Sequence, residues 1–243
     1  VIWEQLRVSF VIPAYNEEAL IVRCISSIRE EIARVGNPVH EIIVVDNAST
    51  DLTAGYAIIA RARVLHERRK GVTRARQTGF EHARYDIVAF IDADSTLPPG
   101  WLSRMCGNFA DPDVVAVSGP VAYPELIFYK RYLSLAFYAC AKLVHPIAPL
   151  LQGGNFALTK KALREAGGFN TDIDFYGEDT DTAVRLSKVG KVRFDLGLVI
   201  HTSARRMDGE GFVRIGTRYI ANFLSVWITG EPWTTEYRDH RPK

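Results

Sequence analysis

Tyr85 to Thr96 read YDIVAFIDADST, and this stretch decides the fold. An apolar run, Asp86 to Ile91, stops abruptly at two carboxylates, Asp92 and Asp94, with only Ala93 between them. A short run rich in β-branched and aromatic residues reads as a strand covered on both faces. Such strands belong to parallel sheets, and in open parallel sheets ligands sit at the carboxyl ends of the strands. Asp92 and Asp94 stand at such an end.

The chain before it repeats the pattern. Val8 to Ile12 (VSFVI) is expected as a first strand, stopped by Pro13. Asn16 is the expected cap of a helix with Ile21, Cys24, Ile25, Ile28 and Ile32 at helical spacing. Glu41 to Val45 is the second strand. Ser49, Thr50 and Asp51 offer a second cap, and Leu52, Tyr56 and Ile59 a second helical face. Val64-Leu65 reads as a short third strand and Gly71 to Ala83 as a third helix. Strands alternating with helices imply an α/β fold, a mostly parallel, Rossmann-like sheet flanked by helices. Pro13-Ala14-Tyr15-Asn16, Asp46-Asn47 and Asp92-Ala93-Asp94 should then meet at one edge.

The second half is less regular. Strands are expected at Val114 to Ser118, Gly153 to Thr159, Lys191 to Phe194 and Val199-Ile200, with a helix at Thr180 to Val189. Pro120 to Leu150 is aromatic and punctuated by proline, and its pattern assigns no element. It holds Tyr123, Phe128, Tyr129, Tyr132, Phe137 and Tyr138, which suit core, an acceptor wall or a lipid-facing surface. The tail from Thr229 to Lys243 is polar and is expected to be loosely held.

Composition narrows the classes. The chain has 243 residues, 47% of them hydrophobic, with a formal net charge of +2. That suffices for one domain with a sizeable core, expected to span 1–243. The charge balance and the lack of a basic stripe argue against a dedicated nucleic-acid binder. Cys24, Cys106 and Cys140 form no CxxC pair, which points to a reducing, cytoplasmic setting. The opening VIWEQLRVSF has no secretory pattern, and no run of about 20 apolar residues suggests a membrane span. Arg214, Arg218, Tyr219, Phe223 and Trp227 fall at helical spacing. That mix suits a helix on the inner face of an anionic membrane, and suits a packing helix equally well.

The D-x-D pair offers hard oxygen ligands, the kind Mn²⁺ and Mg²⁺ take while keeping positions open for substrate phosphates. On an extended segment residues i and i+2 point the same way, so both carboxylates could face one ion. A solvated loop with two ordinary aspartates is the plain alternative. The strand before the pair, and the second acidic strand end at Asp46, favour the ion.

Several ordered motifs carry a resemblance. VSFVIPAYNEE, EIIVVDNASTD and KGVTRARQTGFEHARYDIVAFIDAD resemble the nucleotide-sugar-binding half of glycosyltransferase family 2. GGNFALTKKALREAGGF, FYGEDTDTAVRLSKVGKV and IHTSARR resemble its acceptor half. The match runs from about Val8 to Arg206. It implies a GT-A fold, with a nucleotide-sugar-binding half over about 1–118 and a C-terminal acceptor-binding portion over about 119–243. It also implies transfer of a sugar from a nucleoside diphosphate, UDP or GDP, usually with inversion. The acceptor would be a glycan, lipid or small molecule.

Carried over position by position, the resemblance puts Pro13, Ala14 and Tyr15 in the base and ribose pocket, with Glu17 nearby. Asp46 would bind base or ribose, beside Asn47 where many relatives have a second aspartate. Lys70, Arg74 and Arg76 would approach base and phosphates; a charged helix surface is their plain alternative. Asp92 would contact ribose or metal, with Ala93 beside it, Asp94 would bind the metal, and His201 would complete its coordination. Arg205 or Arg206 would neutralise the diphosphate. Gly153, Gly154 and Asn155 would let backbone approach the donor sugar, or simply make a tight turn. Asp179 of the Glu178-Asp179 pair would be the general base, although Glu178, Asp179 and Asp181 also suit a helix N-terminus.

The QxxRW motif of processive synthases is absent, which favours single-sugar transfer. A nucleotidyltransferase making nucleotide sugars is a second reading, but PAYNEE is not the glycine-rich, basic phosphate loop it needs. A non-catalytic nucleotide-sugar or glycan binder is a third, disfavoured by Asp92, Asp94 and Asp179 together. No GxGxxG follows the first strand, which disfavours a dinucleotide enzyme.

Overall fold

The computed structural model describes residues 7–126, 137–173, 176–205 and 212–234. The expectations for Phe128, Tyr129, Tyr132, Arg206 and most of the tail lie outside those residues.

The first half is built as its periodicity dictates. β1 (Arg7–Ala14), β2 (Val39–Asp46), β3 (Arg63–His66) and β4 (Ile87–Ile91) alternate with α1 (Ile21–Arg34), α2 (Thr53–Ile59) and α3 (Val72–His82). β1 and β4 are central and covered on both sides. Alternate residues of a strand face opposite ways. Val8, Phe10 and Ile12 therefore pack toward α1 with Ile21, Cys24, Ile25, Ile28 and Ile32, while Val11 packs with Ile43, Val45, Ala75 and Phe80 on the α3 side. Each fully buried isoleucine on α1 contributes about 1.5–3 kcal/mol. Gly79 brings α3 close to β1, because a Cβ there would overlap Val11.

Two local expectations are corrected. Asn16 does not cap α1; Leu20 holds the cap position. Asn16 sits at φ 50°, receives Thr50 N–H on its Oδ1 (2.8 Å) and donates its own N–H to Ser49 Oγ (3.0 Å), so it ties two loops at the rim. The expected apolar face of α2 is also reversed. Thr53 and Ala57 are buried, whereas Leu52, Tyr56 and Ile59 are exposed. The helix turns its small residues Thr53 and Ala57 inward.

The second half supplies β5 (Ser95–Thr96), α4 (Trp101–Asn108), β6 (Val114–Ser118), β7 (Val121–Ala122), a helical stretch α5 (137–144), β8 (Asn155–Thr159) and α6 (Lys160–Glu165). α7 (Glu178–Ser187), β9 (Lys191–Phe194), β10 (Ile200–Thr202) and α8 (Phe212–Thr229) follow. Seven strands form one sheet in the order β3-β2-β1-β4-β8-β6-β9. β5, β10 and β7 form a second, small sheet. Tyr138 of the aromatic segment is core: it stacks on Phe194 and bonds Gln152 (3.1 Å). No helix among the described residues is long and apolar enough to cross a membrane.

Two features of this order place the site. The chain goes from β1 outward to β2 and β3, then returns to β4 on the other side of β1. That reversal opens a crevice at the carboxyl ends of β1 and β4. The second feature is β8, the strand that runs antiparallel to both its neighbours, β4 and β6. Its start therefore meets the end of β4, with Asn155 opposite Ile91.

Candidate active site

The D-x-D pair is not extended. Ser95 N–H returns to Asp92 C=O (3.0 Å), closing a turn that carries the chain from the large sheet into β5 of the small one. The two carboxylates consequently reach different partners. Asp92 accepts from Arg76 Nη2 (3.2 Å). Asp94 accepts from Thr202 Oγ1 (3.0 Å) and Arg205 Nη2 (3.1 Å). Burial pushes the Asp94 carboxyl up to about 6, with the Asp92 charge adding to it and Arg205 opposing. Arg205 also grips both oxygens of buried Glu17. Thr202, unremarked in the sequence, faces Asp94 because β10 pairs antiparallel with β5.

Across the crevice, α7 starts with Glu178 and Asp179. The turn before it needs positive φ at Tyr176 (57°) and Gly177 (95°), and a Cβ on Gly177 would overlap Val226 of α8. Tyr176 is buried, accepts from Arg218 Nη1 (3.1 Å) and packs edge-on against Tyr219, so α8 braces the turn. Asp179 Oδ1 accepts Thr180 N–H (2.8 Å), a helix-start contact, and Oδ2 accepts Gly153 N–H (3.2 Å). Burial and the neighbouring Glu178 charge hold the Asp179 carboxyl well above the usual carboxylate range, against the pull of Arg76 and the two N–H groups.

Gly153 and Gly154 lie between the two acidic groups. A Cβ on Gly154 (φ 74°) would overlap the Asp92 carboxylate, and one on Gly153 would lie 3.7 Å from Asp179 Oδ2. Asn155, by contrast, faces inward and is fully buried. Its Nδ2 donates to Gly119, Pro120 and Leu198 carbonyls, and its Oδ1 accepts from Trp101 Nε1. It stitches the crevice floor rather than lining the crevice.

The rim at the ends of β1 and β2 is built in a similar way. Asp46 is buried; one oxygen meets His66 Nδ1 (3.2 Å), and Oδ1 has no partner among the described residues. Asn47 donates to Glu67 and Arg69 carbonyls (3.1 and 2.8 Å) and accepts Gly71 N–H (2.9 Å). Its amide thus shapes the 67–71 loop. That loop presents Lys70, whose Nζ reaches Tyr15 OH (2.7 Å) and lies 4.3 Å from the Tyr15 ring centre. Pro13 and Ala14 are buried at the end of β1, and Ala93 is buried within the acidic turn.

Five carboxylates (Glu17, Asp92, Asp94, Glu178, Asp179) therefore surround two guanidiniums, Arg76 and Arg205. The surplus negative charge and hard oxygen donors fit a divalent cation. Among the described residues no three acidic, histidine or cysteine side chains are spaced to enclose an ion by themselves. The rim suits an ion that takes its other ligands from phosphates and water.

A family model described as Glycosyl transferase family 2 matches residues 9–167. The chain belongs to glycosyltransferase family 2. It is 30% identical over 213 residues to the pre-mycofactocin glycosyltransferase of Mycobacterium tuberculosis, covering 80% of this chain and 42% of that protein. It is 26% identical over 266 residues to mouse polypeptide N-acetylgalactosaminyltransferase 4, covering 96% of this chain and 44% of that one. The chain thus spans under half the length of both relatives. Among solved structures, mannosyltransferase PcManGT from Pyrobaculum calidifontis, in complex with GDP-Man and Mn²⁺, superposes with a TM-score of 0.74 at 25% identity, covering 93% of this chain and 65% of that one. Glucosyl-3-phosphoglycerate synthase from Mycobacterium tuberculosis shares the fold, with a TM-score of 0.62 at 24% identity, 91% of this chain and 79% of that one.

Proposed function

We propose that this family 2 chain transfers a single sugar, with inversion, from a nucleoside-diphosphate sugar to an acceptor hydroxyl. One observation carries the reading: the Asp92–Asp94 turn and the Glu178–Asp179 helix start converge on opposite sides of Gly153-Gly154. A donor laid along the crevice would have its diphosphate at the first and its anomeric carbon toward the second.

The base and ribose would lie over Pro13, Ala14 and Tyr15, with Asp46 Oδ1 free to accept an N–H. Lys70 and Tyr15 would close that end. Asp92 and Asp94 would hold Mn²⁺ or Mg²⁺, which when bound offsets the charge of the diphosphate and of the departing nucleotide. Arg205 would share that work. Asp179, with its raised proton affinity, would take the acceptor's proton as the acceptor oxygen bonds to the anomeric carbon. The bond from that carbon to the diphosphate oxygen breaks, and its electron pair leaves with the nucleotide. Attack from the face opposite the leaving group inverts the centre.

Calorimetry with UDP and GDP, each with Mn²⁺, with Mg²⁺ or with EDTA, tests this. Binding of at least one nucleotide that falls tenfold or more in EDTA is expected, and Asp94→Asn should abolish the metal dependence. Nucleotide binding indifferent to metal, or none at all, would sink the reading.

A further inference from the structure

We propose that Arg76 is a positioning residue, a buried strut that fixes the distance between the metal-side carboxylate Asp92 and the Glu178–Asp179 turn, rather than a ligand of the donor's phosphates. The inference rests on the functional reading above for what is being positioned; the strut itself rests on geometry.

Arg76 rises from the middle of α3 and is only 2% exposed. Its Nη1 donates to Glu178 Oε1 at 3.0 Å and its Nη2 to Asp92 Oδ1 at 3.2 Å. The guanidinium lies over the Phe156 ring, 5.7 Å from its centre, and its Nε is buried without a partner among the described residues. A Cβ on Gly153 would lie 3.4 Å from Nη2. One planar cation thus joins α3, the β4–β5 turn and the start of α7, segments far apart in sequence. No lysine could span both carboxylates from that backbone in the same way, because the guanidinium alone presents two diverging donors in a rigid plane.

A phosphate ligand must reach its phosphate. Arg76 would have to leave two ion pairs and a closed pocket to do so, and each stranded carboxylate would be left partly buried and unpaired. A strut needs no such movement. Its contribution is that a general base is effective only within hydrogen-bond reach of its proton, and that a shift of about 1 Å costs about a hundredfold in rate.

The two roles separate in a kcat-against-affinity comparison of Arg76→Gln and Arg76→Lys. UDP and GDP affinities with Mn²⁺ are measured calorimetrically, and turnover as nucleotide released from UDP-glucose and GDP-mannose. Arg76→Gln should leave nucleotide affinity within about threefold and lower turnover about a hundredfold, with Arg76→Lys recovering part of it. A parallel tenfold loss of nucleotide affinity, unchanged turnover, or a lysine variant as active as the wild-type chain would overturn the proposal. A substrate-free arm decides it alone should neither nucleotide bind, an outcome that counts against the function and not the strut. The amides of Gly153 and Thr180, which donate to Asp179, should exchange at least tenfold faster in Arg76→Gln than in the wild-type chain, with Val44 in β2 unchanged. Unchanged exchange at those two amides would overturn the strut.

Discussion

Gly153 and Gly154 are neighbours with different duties, and alanine at each should separate them. Gly154 has φ 74°, in the left-handed region, and a Cβ there would overlap the Asp92 carboxylate. Gly153 lies outside that region, and its Cβ would make ordinary contacts, 3.4 Å to Arg76 Nη2 and 3.7 Å to Asp179 Oδ2 and Glu178 Oε1. Left-handed backbone costs an alanine about 1–2 kcal/mol. Pushing Asp92 aside weakens its charge-assisted bond from Arg76, worth about 1.5–3 kcal/mol when buried and less here because Asp92 is 39% exposed. Gly154→Ala should therefore lose about 2–4 kcal/mol. For a chain of this size that is a drop of about 5–15 °C in Tm. Gly153→Ala should stay within about 1 kcal/mol of wild type. Denaturant melts and calorimetric Mn²⁺ titrations in the presence of UDP or GDP check both. Mn²⁺ affinity should fall at least tenfold in Gly154→Ala and little in Gly153→Ala. Equal melts and equal Mn²⁺ affinities in the two variants would refute the placement of Gly154 against Asp92.

Other outcomes follow from the same geometry. Asp179→Asn should keep nucleotide affinity and lower turnover by about 10²–10⁴-fold, read in the nucleotide-release assay. The raised proton affinity of Asp179 also has a stability consequence. The folded chain holds that proton more tightly than the unfolded one, so ionisation disfavours folding. Its contribution is complete below the unfolded value of about 4 and is lost as pH rises through the raised folded value. Asp179→Asn should then gain stability relative to wild type at alkaline pH and not at pH 4, measured by urea melts. Asn155→Ala strands the Gly119 and Leu198 carbonyls and the Trp101 N–H, and should cost about 2–4 kcal/mol in the same melts. Asn47→Ala frees the 67–71 loop, and should raise amide exchange at Gly71 together with the dissociation constant of whichever nucleotide binds.

Much of the fold was legible in the residues. The strands expected at 8–12, 41–45 and 86–91 announced themselves because a strand buried on both faces must be apolar throughout, and few other structures demand that. The helix at 21–34 was equally plain, from five apolar residues at helical spacing. Caps were not. Asn16 has the chemistry of a helix cap and serves as a bridge between loops, since an asparagine amide meets either need. The α2 face was misread for a related reason: apolar type does not say which side of a short helix the sheet will cover.

The site divides along the same line. The residues by themselves singled out the acidic strand end at Asp92 and Asp94, because metal-binding chemistry needs carboxylates; the Glu178-Asp179 pair and the glycines were singled out by the resemblance to family 2. Which carboxylate meets which cation was settled only in three dimensions. Arg76 stands 16 residues from Asp92 and 102 from Glu178, and nothing local to RAR distinguishes a buried strut from a surface cation. Asn155 sits beside two site glycines yet points into the core, because the pleat of β8 turns it inward. Thr202 meets Asp94 through the register of β10 against β5. Residue chemistry is a property of each position by itself. Contact between distant positions depends on strand order, register and direction, and here on one antiparallel strand that brings Gly154 back to the end of β4.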